Sequence, residues 1–283
     1  MRQLTADRAI RRGSVGLGWR REFARFIERA GAVDFLEITA ENHPPDSDAD
    51  AALAALLAKG RTVVVHGTGL SLGSGVGLEP RRLQALASCA RRFRAPLVSE
   101  HVAFTRSSDL EIGHLMPLPR THVALSVLCD NIRRTQDALH VPLALENIAA
   151  LFEWPDPEMG AADFLAAALE RTGAALLLDA ANLYADVVNF GLDAESFLDS
   201  LPLARTVYAH VAGGILRHGV WHDTHAHALT EPILEIVAQL LERAPGTPLL
   251  LERDDRFPSD ADLLSELDAL RALTMRSAGH ARA

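Results

Sequence analysis

Apolar runs in this sequence end, one after another, on side chains that bind metals or move protons. VVVHG ends at His66, LVSEH at Glu100 and His101, LALEN at Glu146 and Asn147, and LLLD at Asp179. VYAH then ends on His210, and LLLERD on Glu252, Arg253 and Asp254. Imidazoles and carboxylates gathered in an apolar setting cost free energy unless they pair or bind cations. A cluster of divalent metals resolves that cost. With nitrogen and oxygen donors and no thiolate, the set suits iron, manganese or catalytic zinc and disfavours structural zinc or an iron–sulfur cluster.

The segment WHDTHAH adds His222, Asp223, Thr224, His225 and His227. Asp-x-His places two side chains on one side of an extended segment, so Asp223 and His225 can reach one ion together. Plainer readings stand beside these. Asp179 can cap the segment that follows it, and Asn182 can stabilise a turn. Glu100, adjacent to His101, is expected on the other side of its strand, paired with an arginine of the wall. Arg253 and Asp254 read as a solvated pair at the rim or a clamp for substrate. Glu41 and Asn42 either contact substrate or cap the chain reversal before Pro44 and Pro45. His43, His114, His122, His140, His218 and His280 are read as loop or surface residues.

The elements that must position these groups alternate regularly. Eight strand-like runs occur at 14–19, 34–39, 62–67, 96–102, 142–148, 175–180, 206–211 and 248–253. Most are apolar throughout, as strands buried on both faces are. Stretches with helical spacing lie between them, among them 20–30, 49–59, 80–93, 161–171, 231–243 and 260–272. Eight such repeats predict an α/β fold, a single (β/α)₈ TIM barrel over 1–283 with its core at about 14–275. The strand C-termini would then converge on one mouth, beside the long connections at 103–120 and 212–230. Gly31, Gly60 and Gly173 are expected as left-handed helix ends, and Asp193 and Asp260 as helix N-caps.

Composition narrows the partners. A formal charge of −9 gives no footprint for nucleic acid or an anionic membrane. Cys89 and Cys129 lie in apolar, helix-like stretches and read as packing residues. Met1 to Arg12 lead into no apolar signal segment, and the expectation is a soluble, cytoplasmic chain. The loop from Gly67 to Gly77 is glycine-rich but has no GxxxxGK[ST] pattern, which argues against a nucleotide site.

Taken in order, GLGWR, EITAENH, HGTGLSLGS, SEHVAF, LALENIAALF, LLLDAANLY, AHVAGG, DTHAHAL and LLERD resemble the multinuclear non-haem iron-dependent oxidases. The resemblance implies a barrel with two or three iron ions of mixed valence that activate dioxygen on ribosomally made peptides, commonly at cysteine. It places iron ligands at His66, His101, Glu146, Asp179, Asn182, His210, Asp223, His225 and Glu252. Glu146, His210 and Asp223 would carry the catalytic roles, with Glu146 bridging two ions. It also implies a precursor peptide as substrate and a separately encoded partner or leader-binding protein. Two positions depart from the pattern: Ala181 where the family often has asparagine, and Gly214 where it often has histidine. Either change would remove a ligand or a substrate contact, which leaves two or three irons open. The rival readings are a zinc- or manganese-dependent isomerase or phosphodiester hydrolase barrel, and a non-catalytic metal- or peptide-binding scaffold.

Overall fold

Eight parallel strands pair in chain order and close on themselves in the computed structural model, which describes residues 10–44, 51–107 and 110–280. The barrel strands are β1 (Val15–Gly18), β2 (Phe35–Thr39), β3 (Thr62–Gly67) and β4 (Val98–His101), followed by β7 (Leu143–Glu146), β8 (Ala175–Asp179), β9 (Thr206–Val211) and β12 (Leu249–Leu251). All eight fall inside the runs picked out by apolar content. Two antiparallel hairpins fill the long connections: β5 (Phe104–Ser107) with β6 (Leu110–Met116), and β10 (Ile215–Arg217) with β11 (Val220–His222).

Helices α1 (Ala24–Arg29), α2 (Ala51–Ala58), α3 (Pro80–Arg92), α4 (His122–Ala138) and α5 (Ala161–Thr172) surround the first half of the sheet. Further helices are α6 (Ala180–Phe190), α7 (Ala194–Ser200), α8 (Glu231–Arg243) and α9 (Asp260–His280). Helix α4 shows why such segments fold where they do. Leu125, Leu128, Cys129 and Ile132 recur at helical spacing and are all buried, while Thr121 caps the start by accepting from the Ala124 amide at 3.2 Å.

Gly60 and Gly173 take the left-handed conformation expected of helix ends. Gly31 does not, because α1 ends one residue earlier on an extended Ala30. Asp193 caps α7, accepting from Ser196 at 2.7 Å. Asp260 is instead the first residue of α9, and Ser259 accepts from the Asp262 amide in the capping place.

Two apolar layers result. Phe35, Val64, Leu97, Ala144, Leu177, Tyr208 and Leu250 fill the barrel interior with Ile10, and a larger layer lies between barrel and helices. Each fully buried leucine contributes about 1.5–3 kcal/mol relative to exposure. Gly16 belongs to this interior, since a Cβ there would lie 2.6 Å from the Phe35 ring. Cys89 and Cys129 are free and buried, and burial pushes the Cys89 thiol up to about 11. No helix among the described residues is long and apolar enough to cross a membrane.

Candidate metal centre

Side chains on one face of a strand recur every second residue, so the interior apolar layer dictates what stands above it. Two residues beyond Phe35 is Glu37, and beyond Val64 is His66. Leu97 leads to Ser99 and then His101, Ala144 to Glu146, and Leu177 to Asp179. Tyr208 leads to His210 and Leu250 to Glu252. Every one of these polar residues is buried. An apolar floor thus carries a polar layer at the strand C-termini.

Donor atoms there fall into overlapping groups within 4.8 Å: His66 with His101 and Glu146; Glu146 with Asp179 and His210; Glu37 with His210 and Glu252; Asp179 with His225 and Glu252. Glu146 joins the first two groups through opposite oxygens. Its Oε2 lies 3.5 Å from His66 Nε2 and 3.4 Å from His101 Nε2, and its Oε1 lies 3.1 Å from His210 Nδ1. His210 Nδ1 also lies 3.2 Å from Glu252 Oε2. The imidazoles crowd edge to face, with His66 ring centroids 4.6 Å from His101 and 5.3 Å from His210.

Charges are perturbed accordingly. Burial opposes a charge on His101, yet Glu146, Glu100 and Glu252 outweigh it and hold its pKa up at about 9. Burial likewise opposes ionising Glu146, but His101, His210 and His66 hold it down at about 2. His210 and His225 are raised well above the usual imidazole range by carboxylates that overcome burial. Asp179 moves the other way: burial, then Asp223 and Glu146, push its carboxyl well up.

The donor set fits divalent metal. Among the described residues Glu146 Oε2, Asp179 Oδ2, Asp223 Oδ1 and His101 Nδ1 are buried with no hydrogen-bond partner, and such orphans are costly unless a cation meets them. Three of the four are carboxylate oxygens. Nitrogen and oxygen donors without sulfur suit iron, manganese or catalytic zinc.

Asp179 caps the next helix and also turns toward the centre. Its Oδ1 caps α6, accepting from Asn182 at 2.7 Å, while Oδ2 faces the centre. Asn147 fixes it further: Asn147 Nδ2 donates to the Asp179 carbonyl at 3.0 Å, and the Asp179 amide donates back to Oδ1 at 2.9 Å. Asn182 Nδ2 donates to the Asn147 carbonyl at 2.9 Å, leaving Oδ1 as its side-chain acceptor. Asn182 is therefore held at the edge of the centre.

Asp223 and His225 do meet, at 2.7 Å between Oδ2 and Nε2. The cause differs from the expected extended strand. His225 is left-handed (φ 50°), and this turn folds its ring back onto Asp223. Its Nδ1 lies 3.4 Å from Glu252 and 3.3 Å from Asp254. Asp254 is half exposed at the mouth and is also paired with Arg20.

Several expectations are corrected. Glu100 is fixed by backbone instead of the expected arginine: it accepts from the Leu70 amide at 3.0 Å and the His101 amide at 2.9 Å. Arg253 is neither a rim pair with Asp254 nor free to clamp substrate, since it is buried against both oxygens of Glu266 in α9. Glu41 accepts from the Thr68 and Gly69 amides and so shapes the glycine-rich loop, while Asn42 is exposed beside it. His43 is buried against Phe93 rather than exposed. Ala181 packs, fully buried, in the layer between barrel and helices. Gly214 leaves no room for a side chain, as a Cβ would lie 2.5 Å from the His222 carbonyl and 2.6 Å from Trp221 Nε1. Glu37, Ser99 and Tyr208 were missed, although the alternation from the apolar floor marks the first two.

Fold and site together define a TIM barrel whose strand ends bring buried nitrogen and oxygen donors into one cluster that could hold metal ions. Comparison with known proteins makes this narrower. The sequence profile described as "RiPP precursor modification enzyme MbnB/TglH/ChrH" matches residues 14–275, and the chain belongs to that family. A UPF0276 protein of Streptomyces avermitilis is 48% identical over 276 residues, 94% of this chain and 55% of the relative. One from Acinetobacter baylyi is 32% identical over 92% of this chain and 90% of the relative. The chain thus spans about half the length of the first relative and most of the second. Among solved structures, an L-ribulose 3-epimerase superposes with TM-score 0.60 at 14% identity, covering 95% of this chain and 97% of that one. Endonuclease IV from Thermus thermophilus gives 0.58 at 20% identity, covering 93% and 99%. These two likenesses are of fold alone.

Proposed function

We propose that this chain is a multinuclear non-haem iron oxidase that uses dioxygen to modify a ribosomally made precursor peptide, at a cysteine of that peptide. The observation that carries this reading is the divided carboxylate of Glu146. Its two oxygens face separate histidine groups, and one has no hydrogen-bond partner among the described residues. Such a residue serves two ions at once.

His66, His101 and Glu146 would hold one ion, and Glu146, Asp179 and His210 a second, joined by Glu252, which lies 3.2 Å from His210. Asp223 and His225, the latter grouped with Asp179 and Glu252, would hold a third, with Asn182 added as the family resemblance implies. Iron at these positions supplies one-electron chemistry with dioxygen and lowers the pKa of a substrate thiol. The chain's own residues do the rest. Asp179, Asn147 and Asn182 fix the edge of the centre through reciprocal hydrogen bonds. Asp254, held by Arg20, orients the His225 ring from the solvent side. Exposed Leu110, Leu151, Trp154, Leu216, Val220 and Phe257 lie on the segments that follow barrel strands, which suits a peptide lying across the mouth. A separately encoded partner would present that peptide.

The test is metal analysis of anaerobically purified protein, followed by dioxygen uptake with candidate precursor peptides from neighbouring reading frames. Iron content with uptake that depends on a cysteine-containing peptide is expected. Zinc or manganese with no dioxygen uptake would favour an isomerase or hydrolase and overturn the reading. Metal without any turnover would leave a binding scaffold.

A further inference from the structure

Five buried side chains, two of them histidines of the donor layer, form one continuous chain of hydrogen bonds. Glu37 Oε2 lies 3.0 Å from His210 Nε2 and accepts from the Tyr208 hydroxyl at 2.5 Å. The Tyr208 oxygen lies 2.8 Å from Ser99 Oγ, and Ser99 Oγ lies 2.9 Å from His66 Nδ1. Relative exposure is 4% or less at all five residues, so no bulk water intervenes to reset the direction of any bond.

That direction follows from one end. A carboxylate accepts hydrogen bonds and donates none, so both partners of Glu37 must donate. His210 therefore carries its proton on Nε2, and Tyr208 spends its only proton on Glu37. The Tyr208 oxygen can then only accept, which makes Ser99 the donor. Ser99, its proton spent, accepts from His66 Nδ1. With a metal ion in place of the second proton that the carboxylates hold on His210, both rings present a lone pair on the other nitrogen. His210 Nδ1 faces Glu146 Oε1 at 3.1 Å and Glu252 Oε2 at 3.2 Å, and His66 Nε2 faces Glu146 Oε2 at 3.5 Å.

We propose that Glu37 is a positioning residue rather than a metal ligand, and that Tyr208 and Ser99 relay its charge so that one carboxylate sets the tautomer of two ligating histidines on different ions. Ligating histidines commonly hold their second nitrogen against a carboxylate, carbonyl or water. Here a single carboxylate serves two of them, one directly and one through two hydroxyls. The inference rests on the metal-centre reading but on neither dioxygen nor peptide, so it is tested with metal alone.

The experiment is anaerobic titration of the intact chain with ferrous ion, and with cobalt(II) as a probe whose visible absorption reports each site's ligands. Tyr208→Phe keeps the ring and the contact between Glu37 and His210 but cuts the relay. Ser99→Ala cuts it nearer to His66 and serves as the second variant if the first folds poorly by circular dichroism. Each is expected to weaken one ion, that of His66, His101 and Glu146, by about 10- to 100-fold, and to leave the ion of His210 and Glu252 in place. Glu37→Gln, whose amide donates as readily as it accepts, should weaken both. Unchanged binding in Tyr208→Phe and Ser99→Ala overturns the relay. Loss in Glu37→Gln confined to the ion of His210 and Glu252 overturns it too, because Glu37 is then a ligand. A wild-type chain that takes up no divalent ion overturns the metal centre and the relay together.

Discussion

Glu146 faces His210 through Oε1 at 3.1 Å, while its Oε2 is buried 3.4 Å from His101 without a hydrogen-bond partner. One carboxylate thus closes two donor groups, and its loss should be felt in both. Changes in outer residues alone cost about 10- to 100-fold in metal affinity. Glu146→Gln, which removes a shared ligand charge, should cost at least as much and lower metal content and activity together. Metal analysis beside turnover checks this, and retention of both would remove the bridging role.

Gly214 explains one departure from the family pattern. The Trp221 ring and the His222 carbonyl occupy the space that a side chain at 214 would enter. Trp221 is buried, packs edge to face on Tyr184 at 4.8 Å, and donates its amide to Asn189 Oδ1 at 2.8 Å. Gly214→Ala must therefore push the indole or bend the hairpin, at a cost of about 1–3 kcal/mol. A lower melting temperature with a changed near-ultraviolet signal is expected. A variant as stable as the parent would show that the hairpin gives way freely.

The barrel was legible because strands buried on both faces are written as apolar runs, and LLLD or VVVH can be read without knowing what packs on them. The strand-end cluster was legible for a related reason: charge at the end of such a run demands a partner. Glu37 escaped because it lies inside its run, followed by Ile38 and Thr39, whereas the alternation from Phe35 would have marked it. Arg253 escaped because its partner Glu266 lies on a helix that no spacing links to the strand end. The hairpins escaped because FTRS and LEIGHLM are half exposed and carry no apolar run. The fold of His225 onto Asp223 depends on a left-handed residue that is not glycine, which local sequence does not announce.

Asp186 offers a test of the wall beside the centre. Its Oδ1 accepts from the Ala150 amide at 2.9 Å, tying the segment after β7 to α6. Burial pushes its carboxyl up to about 7, against the smaller opposing effect of that amide. A carboxyl raised in the folded state favours folding at low pH and costs stability as pH rises through its folded value. Asp186→Asn keeps an acceptor for Ala150 and carries no charge. It should therefore raise stability at pH 8, by on the order of 2 kcal/mol, with the gain shrinking toward pH 4. Denaturant melts at the two pH values decide it, and an asparagine variant less stable at pH 8 would show the charge is needed.

Metal uptake should be linked to protons, with a sign fixed by the same residues. In the metal-free chain His101, held up at about 9, pairs as a cation with Glu146, held down at about 2. A raised imidazole contributes stability fully present below about pH 6.5 and lost as pH rises through about 9. Glu146 contributes stability present above its ordinary value of 4.5 and lost as pH falls through about 2. Asp179, raised by burial and its acidic neighbours, also loses stability as pH rises above its ordinary value of 3.8. The metal-free chain should therefore melt at progressively lower temperature from pH 6.5 to 9, and added metal should abolish that slope. Because a metal must displace the imidazole protons, affinity should rise about tenfold per pH unit for each proton released, up to about pH 9. Competition titrations at several pH values, with proton release followed in weak buffer, measure this directly. Affinity independent of pH between 6 and 9 would mean that these histidines are not the ligands.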